Sequence, residues 1–254
     1  HNRCRRQRQM CIRDSGQSLL RRANSMLDQA RELEDLSQQI AAGVESEITV
    51  AMDHLCDPSL LYRPMAHYLR QNSATSIQVV ETSLSKTSDM VTSAQADIAI
   101  ITLPVTNYPA QAFSLTSMVP VVSTEHPLAQ QASLTMADFA THCQIVIRDL
   151  GASQTNEQAQ NVGWLKSNQR VTVDNFDHAF RAVEQGVGFC RLPTHIVAKR
   201  NQGQLQVLNV EESDCYQVPL HLTLPKGAKT GPAARFFYEL LLNGAWSESG
   251  EKCQ

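Results

Sequence analysis

A repeated alternation of short apolar strands and amphipathic helical segments, starting at Ile48, is the feature that most constrains the fold of this chain. The clearest strand, at 97–101, is apolar throughout after its first residue, as expected for a strand inside a parallel sheet. Parallel strands are joined by crossover connections, which are usually helices. The alternation therefore predicts an α/β fold.

The alternation falls into two series. The first contains predicted strands at 48–52, 77–81 and 97–101, and the second begins with a strand at 118–122. A last amphipathic helix opens at Gly231. Two such series joined by short turns predict two doubly wound lobes. Ligands of these sheets bind outside the carboxyl ends of the strands, which here would face each other across a cleft.

A long amphipathic helix is predicted ahead of the lobes, because apolar or small side chains recur every three or four residues. The predicted seam contains Leu19, Ala23, Met26, Ala30, Leu33 and Ile40. Such a stripe favours pairing with a second helix, so we interpret this segment as a dimerisation helix. The alternative is a helix that packs on its own domain. Gly43 is suited to end the helix.

The first fifteen residues differ from the rest of the chain. They hold five arginines and a single acidic residue and show no apolar periodicity. We interpret them as an unstructured tail that is not native to the protein, because 10–15 resembles a translated sequencing adaptor. The alternative is a basic arm that binds phosphate. The remaining chain is net acidic, which by itself does not favour a nucleic-acid surface.

These patterns predict five segments with different roles. The predicted bounds are a tail at 1–15, a linker helix at 16–46, lobe I at 47–117 and 226–246, lobe II at 118–225, and a C-terminal tail at 247–254.

Composition argues against several classes of protein. The seven cysteines form no C-x-x-C pair and no zinc-ligand spacing, which favours free thiols in the cytoplasm. No apolar run is long enough to span a membrane, and no signal peptide is evident. The sequence has no G-x-S-x-G, H-E-x-x-H or P-loop motif, so an enzymatic function has little support. We expect no metal, no cofactor and no membrane partner.

The order and spacing of several short motifs resemble the LysR-type transcriptional regulators. The motifs are 48–53 (a first strand), 97–100 (D-[LI]-A-[LI]), 126–129 (H-P-L-A), 134–139 (L-x-x-A-D-[LF]), 183–193 (V-x-x-G-x-G-[IF], then L-P) and 231–237. The resemblance implies a periplasmic-binding-protein-like effector domain, a coiled linker helix, and dimers that associate into tetramers. The winged helix-turn-helix of that family would precede Gly16, so DNA binding is expected only through a domain missing from this chain.

The resemblance implies a cytoplasmic transcriptional regulator that responds to a small-molecule effector. The chain would supply the effector-binding and oligomerisation parts, and the effector would shift the population between two lobe arrangements. The main alternative is a periplasmic solute-binding protein of a transporter, which would need a signal peptide and has no use for the helical seam. A further alternative is an enzyme that reuses the two-lobed fold.

Candidate effector-binding residues lie in loops that follow the predicted strands. They are His54, Ser59, Thr82, Ser83, Arg148 and Ser153. The resemblance implies a small carboxylate or an aromatic acid as the effector, held by hydroxyls such as those of Thr82 and Ser83. Structural alternatives stay open: Asp57 as the cap of a helix at Ser59, the two hydroxyls as caps of the following helix, and Arg148 as the partner of a nearby acid.

Overall fold

The computed structural model describes residues 2–72, 75–151, 163–165, 167–210 and 216–245. The chain divides into two compact units, His1–Ser46 and Glu47–Gln254. Among the helices in the described ranges, none has the length and apolar character needed to cross a membrane.

The first unit is one long helix, α1, over Asn2–Ala41. It ends as predicted, two residues before Gly43, whose φ of +79° is the left-handed conformation common after a helix. The prediction of an unstructured tail at 1–15 was wrong, because the helix begins at Asn2. That stretch has no Gly or Pro, and its Arg and Gln residues extend an existing helix at little cost.

Lobe I is built on three parallel strands, β1 (Glu47–Asp53), β2 (Ser76–Thr82) and β3 (Ile98–Ile101), with β1 in the middle. The crossovers are α2 (Ser59–Gln71) and α3 (Leu84–Thr92). One apolar core cluster of this lobe contains Ala51, Met90, Val91, Ala96, Ala99 and Ile101. The α/β arrangement predicted from the alternation is confirmed here.

Two long antiparallel strands continue the sheet from lobe I into lobe II. They are β4 (Ala110–Ser123) and β9 (Tyr216–Thr223), which pair from Ala110 opposite Thr223 to Met118 opposite Tyr216. Sequence analysis predicted only the second half of β4. The first half lacks a continuous apolar run, because only Phe113 and Thr116 of its first seven residues are buried.

Lobe II contains β5 (Cys143–Ile147) and β6 (Gln169–Val173), which pair in parallel. The strands β7 (Cys190–Pro193) and β8 (Leu205–Val207) pair with the second half of β4. The helices α4 (Phe176–Glu184) and α5 (Thr194–Arg200) complete the lobe. Its separate core cluster contains Val122, Leu128, Leu134, Phe139, Phe189, Leu208 and Val210.

Three short 3₁₀ helices connect the larger elements, and the first two overlap the H-P-L-A and L-x-x-A-D-[LF] motifs. They cover Pro127–Gln130, Asp138–Thr141 and Gly227–Lys229. The last helix, α6 (Pro232–Ala245), packs on α2, where the ring of Tyr68 lies 5.3 Å from that of Phe237. The C-terminal helix therefore returns to lobe I.

Candidate functional site

The carboxyl ends of the parallel strands of the two lobes lie against each other. Three contacts join the two lobes on this side: the hydroxyl of Ser83 with the carboxylate of Asp149, the ring of His54 with the ring of Phe176 at the start of α4, and the carboxylate of Asp57 with the ammonium of Lys199 in α5. Contacts between the lobes beside the carboxyl ends of parallel strands identify the cleft between the lobes as the candidate site.

A buried carboxylate, Asp53 at the end of β1, organises the lobe I side of the cleft. One of its oxygens accepts from the backbone N–H of Leu55 at 3.0 Å. The other accepts from the N–H of Leu84 at 3.1 Å and the hydroxyl of Thr102 at 3.2 Å. Burial raises the pKa of Asp53. Sequence analysis missed this residue, although an acidic residue at the end of an apolar strand was a usable signal.

The two hydroxyls predicted from the sequence, on Thr82 and Ser83, are both fully buried. The hydroxyl of Thr82 lies 2.8 Å from that of Thr87, inside lobe I. Ser83 precedes the first residue of α3, yet its side chain makes no capping hydrogen bond. Its hydroxyl donates instead to Oδ1 of Asp149 at 3.2 Å and accepts from the N–H of Leu150 at 2.7 Å. Ser83 therefore faces lobe II.

Asp149, which follows β5, is the lobe II residue that contacts the start of α3. Its side chain is buried, and Oδ2 accepts from the backbone N–H of Ser85 at 3.2 Å. The predicted residue beside it, Arg148, is about half exposed and has its Nε 2.5 Å from the carboxylate of Asp174. The arginine is thus paired inside lobe II, while the neighbouring aspartate crosses the cleft. Sequence analysis left open a nearby acid as the partner of Arg148, and that acid is Asp174.

Gly151 lies against the first turn of α3. A Cβ atom at this position would stand 2.3 Å from the backbone N of Lys86 and 2.5 Å from Oγ of Ser85. These distances are far below van der Waals contact, so the close approach requires glycine. The predicted residue Ser153 lies outside the described residues.

His54 lies at the edge of the cleft, directly after Asp53. Its backbone N–H donates to the carbonyl of Thr82 at 2.9 Å, and its ring meets that of Phe176 with centroids 4.8 Å apart. Burial lowers the pKa of His54, although the nearby carboxylates oppose the shift. A neutral imidazole is therefore favoured at this position.

Ser59 lies beside the contact between Asp57 and Lys199. It begins α2, and its N–H donates to Oδ1 of Asp57 at 2.9 Å, the same carboxylate oxygen that accepts from Lys199 at 2.6 Å. Burial opposes ionisation of Asp57, but these hydrogen bonds outweigh it and lower the pKa of the group. Ser59 also lines a groove of about 360 Å³ between α2 and α6 with Leu240 and Gly244. The structure therefore brings Ser83 and Asp149 into contact, whereas Ser59 contacts Asp57 and lines the groove between α2 and α6.

Metal binding and thiol chemistry find no support in the described parts of the chain. Across the described ranges, no three His, Cys, Asp or Glu side chains are grouped so that they could hold a metal ion. Burial raises the pKa of Cys190 to about 12 and that of Cys56 as well. Thiols with raised pKa values are poor nucleophiles at neutral pH.

Two α/β lobes, a pair of long connecting strands and polar groups that converge in the cleft define a two-lobed ligand-binding domain. The family model of the LysR substrate binding domain matches residues 41–246. The chain therefore belongs to the LysR family of transcriptional regulators, as the motifs indicated, and carries its effector-binding domain. These domains bind ligands and are not enzymes, and a transporter's solute-binding protein is not favoured.

Solved structures share the fold at low sequence identity. The regulatory domain of CcmR from Synechocystis PCC6803 in complex with 2-PG has a TM-score of 0.67 at 15% identity, covering 80% of this chain and 99% of that one. The effector binding domain of QuiR in complex with shikimate has a TM-score of 0.60 at 16% identity, over 78% and 96% of the chains. A full-length OxyR variant from Pseudomonas aeruginosa has a TM-score of 0.58 at 16% identity, over 91% and 84%. A search of curated proteins found no match.

Proposed function

We propose that the cleft binds a small anionic effector, a carboxylate first of all, at the start of α3. The observation that carries this proposal is the convergence of the Ser83 hydroxyl and the Ser85 N–H on a single carboxylate, that of Asp149. Backbone N–H groups in the first turn of a helix have no intrahelical partner and favour an anion. An effector carboxylate would use the same donors.

A second observation at the same place supports a ligand. The hydroxyl oxygen of Ser85 is buried and has no hydrogen-bond partner within the described parts of the chain. A buried polar group without a partner is costly, and a ligand oxygen would relieve that cost. The QuiR domain with shikimate, a carboxylate, supports this effector class by analogy of fold.

The other predicted residues have different proposed parts. Thr82 stabilises the lobe I side of the pocket through its hydrogen bond with Thr87. His54 places a neutral imidazole at the edge of the cleft. Arg148 becomes a partner for the effector only when it leaves Asp174. Ser59 and Ser153 stay predictions.

We propose that α1 joins copies of the chain into a homodimer or tetramer. Its large apolar side chains are well exposed, with Leu19 at 68%, Met26 at 70% and Leu33 at 66%. A long helix with an exposed apolar stripe is stabilised by pairing in water. The small residues Ala23 and Ala30 would allow close approach, while the side chain of Ile40 lies outside the described residues.

The proposed mechanism is a shift in population between two arrangements of the lobes. Lobe I (47–117 and 226–246) and lobe II (118–225) contain separate apolar core clusters and are connected by β4 and β9. An effector that binds one arrangement more tightly shifts the equilibrium towards it. The paired α1 helices would pass this change to DNA-binding domains in the cytoplasm.

Calorimetry on the Thr82→Ala/Ser83→Ala double variant tests the effector site. Shikimate, benzoate and inorganic phosphate are the probes. The wild-type chain should bind at least one of them, and the double variant should lose about tenfold or more in affinity, because it lacks a hydroxyl donor to the anion. The matched control is Ser76→Ala/Ser93→Ala, which removes exposed hydroxyls from the other ends of β2 and α3. Equal affinity in the double variant and the wild type, or no binding of any probe, would contradict the proposal.

A further inference from the structure

We infer that residues 149–151 form an internal latch, in which the carboxylate of Asp149 occupies the effector's anion position and closes the cleft while no effector is bound. The term latch denotes Asp149, Leu150 and Gly151 throughout. An anionic effector would bind by displacing this carboxylate. The displacement step rests on the proposed function, whereas the closing contact does not.

The latch both accepts and donates hydrogen bonds across the cleft. Ser83 donates to Asp149 and accepts from the N–H of Leu150, although these residues are 66 and 67 positions apart in sequence. The N–H of Ser85 donates to the second carboxylate oxygen. A single serine hydroxyl is thus enclosed by the latch on one side and by lobe I on the other, which explains its complete burial.

The latch is held by neutral donors and not by a cation. Within the described parts of the chain, no Lys or Arg forms an ion pair with Asp149, and the adjacent Arg148 pairs with Asp174. Hydroxyl and backbone N–H groups at the start of a helix can donate hydrogen bonds to any small anion of suitable shape. The released Asp149 carboxylate would regain water, so exchange of one anion for another is feasible.

Asp149 also leaves one buried hydrogen-bonding group of the site unsatisfied. It accepts from the Ser85 N–H but leaves the buried Ser85 hydroxyl without a partner in the described residues. An effector anion that reaches this hydroxyl as well would make one more hydrogen bond than the latch makes. That difference would favour displacement.

Gly151 allows the latch to pack closely against the first turn of α3. Its backbone passes so near the first turn of α3 that no side chain can be accommodated there. This close approach accompanies the hydrogen bonds of Asp149 with Ser83 and Ser85. The segment therefore depends on a carboxylate at 149 and on the absence of a side chain at 151.

Amide exchange measured by NMR tests the closing contact without any ligand. The Ser85 N–H belongs to the first turn of α3, where no intrahelical acceptor exists, so its protection reports on Asp149. Asp149→Ala should raise the exchange rate of Ser85 about tenfold or more, and Asp149→Asn should raise it less, because an amide oxygen still accepts. The control Asp89→Ala removes an exposed charge from the same helix and should leave the rate unchanged.

Binding measurements test the displacement. Shikimate and inorganic phosphate should bind Asp149→Ala about tenfold more tightly than the wild type, because no internal carboxylate competes. In the wild type, a bound anion should speed exchange of the Leu150 N–H while that of Ser85 stays protected.

Equal Ser85 exchange in the wild type and in both Asp149 variants would overturn the latch, even if anions bind. Weaker anion binding by Asp149→Ala would also overturn the displacement. If Ser85 exchange rises as expected and neither anion binds any variant, the closing contact stands and the anionic effector of the proposed function fails. The two proposals are therefore separable.

Discussion

The imidazole of His54 meets the phenyl ring of Phe176 edge-on, at 4.8 Å between centroids and an interplanar angle of 69°. The contact joins the loop after β1 in lobe I to the first turn of α4 in lobe II. An aromatic pair in this geometry stabilises the contact beyond the area that it buries. Since burial lowers the pKa of His54, the neutral ring is favoured in this contact.

Acidification should destabilise the folded chain partly through His54. Burial lowers its folded-state pKa below the ordinary value of 6.5, so the unfolded chain binds the proton more readily. The stability from the neutral ring is fully present above that value and is lost as the pH falls below it towards the folded-state pKa. Thermal melting between about pH 7.5 and about pH 5.5 measures the slope.

His54→Asn should reduce that slope without abolishing it. His126 and His195 also have pKa values lowered by burial, so they retain their share of the pH dependence in the variant. The buried Asp53 has a raised pKa and therefore acts in the opposite direction, with stability lost as the pH rises above 3.8. An unchanged slope in His54→Asn would contradict the prediction.

Gly151→Ala should separate the latch from α3 while keeping the charge of Asp149. The added methyl group would overlap the backbone of Lys86, so the segment must move. We expect faster exchange of the Ser85 amide, as in Asp149→Ala, together with faster exchange of the Leu150 amide and little change in the melting of the lobe cores. Retained protection of both amides would show that the segment accommodates the methyl group.

Gly188→Ala should destabilise lobe II. A Cβ atom there would lie 2.0 Å from the carbonyl oxygen of Cys143, which accepts from the Phe189 N–H at 3.0 Å. The carbonyl oxygen and carbonyl carbon of Cys143 are backbone atoms, so they cannot move aside as a flexible side chain would. We therefore expect a loss of at least about 2 kcal/mol in the free energy of unfolding, measured in urea. The control Val187→Ala changes an exposed neighbour and should cost no more than about 0.5 kcal/mol. Equal losses in the two variants would refute the packing argument.

Replacing the stripe of α1 should dissociate the proposed oligomer. The triple variant Leu19→Gln/Met26→Gln/Leu33→Gln keeps residues of good helix propensity and removes the exposed apolar surface. Light scattering should show a lower molar mass than for the wild type. The control Arg21→Gln/Asp28→Gln changes exposed positions away from the seam and should keep the wild-type mass. A monomeric wild type would contradict the proposed role of α1.

The elements that sequence analysis located best are those with a strong local signal. The strand at 98–101 was recognisable from its continuous apolar run, and the helix at 232–245 from apolar residues that recur every three or four positions. The first half of β4 was missed because its partner β9 lies about a hundred residues away and only that pairing makes it a strand. The helix at 2–15 was missed because helix extension leaves no apolar pattern.

The sequence by itself determined the α/β class, the order of the elements and the hydroxyls at the end of β2, since each is encoded in neighbouring residues. Only the tertiary structure decided which charged residue crosses the cleft. Arg148 and Asp149 are adjacent in the chain, and the turn after β5 directs one towards Asp174 and the other towards Ser83. A hydrogen bond between residues 66 positions apart depends on the packing of both lobes, which no local pattern contains.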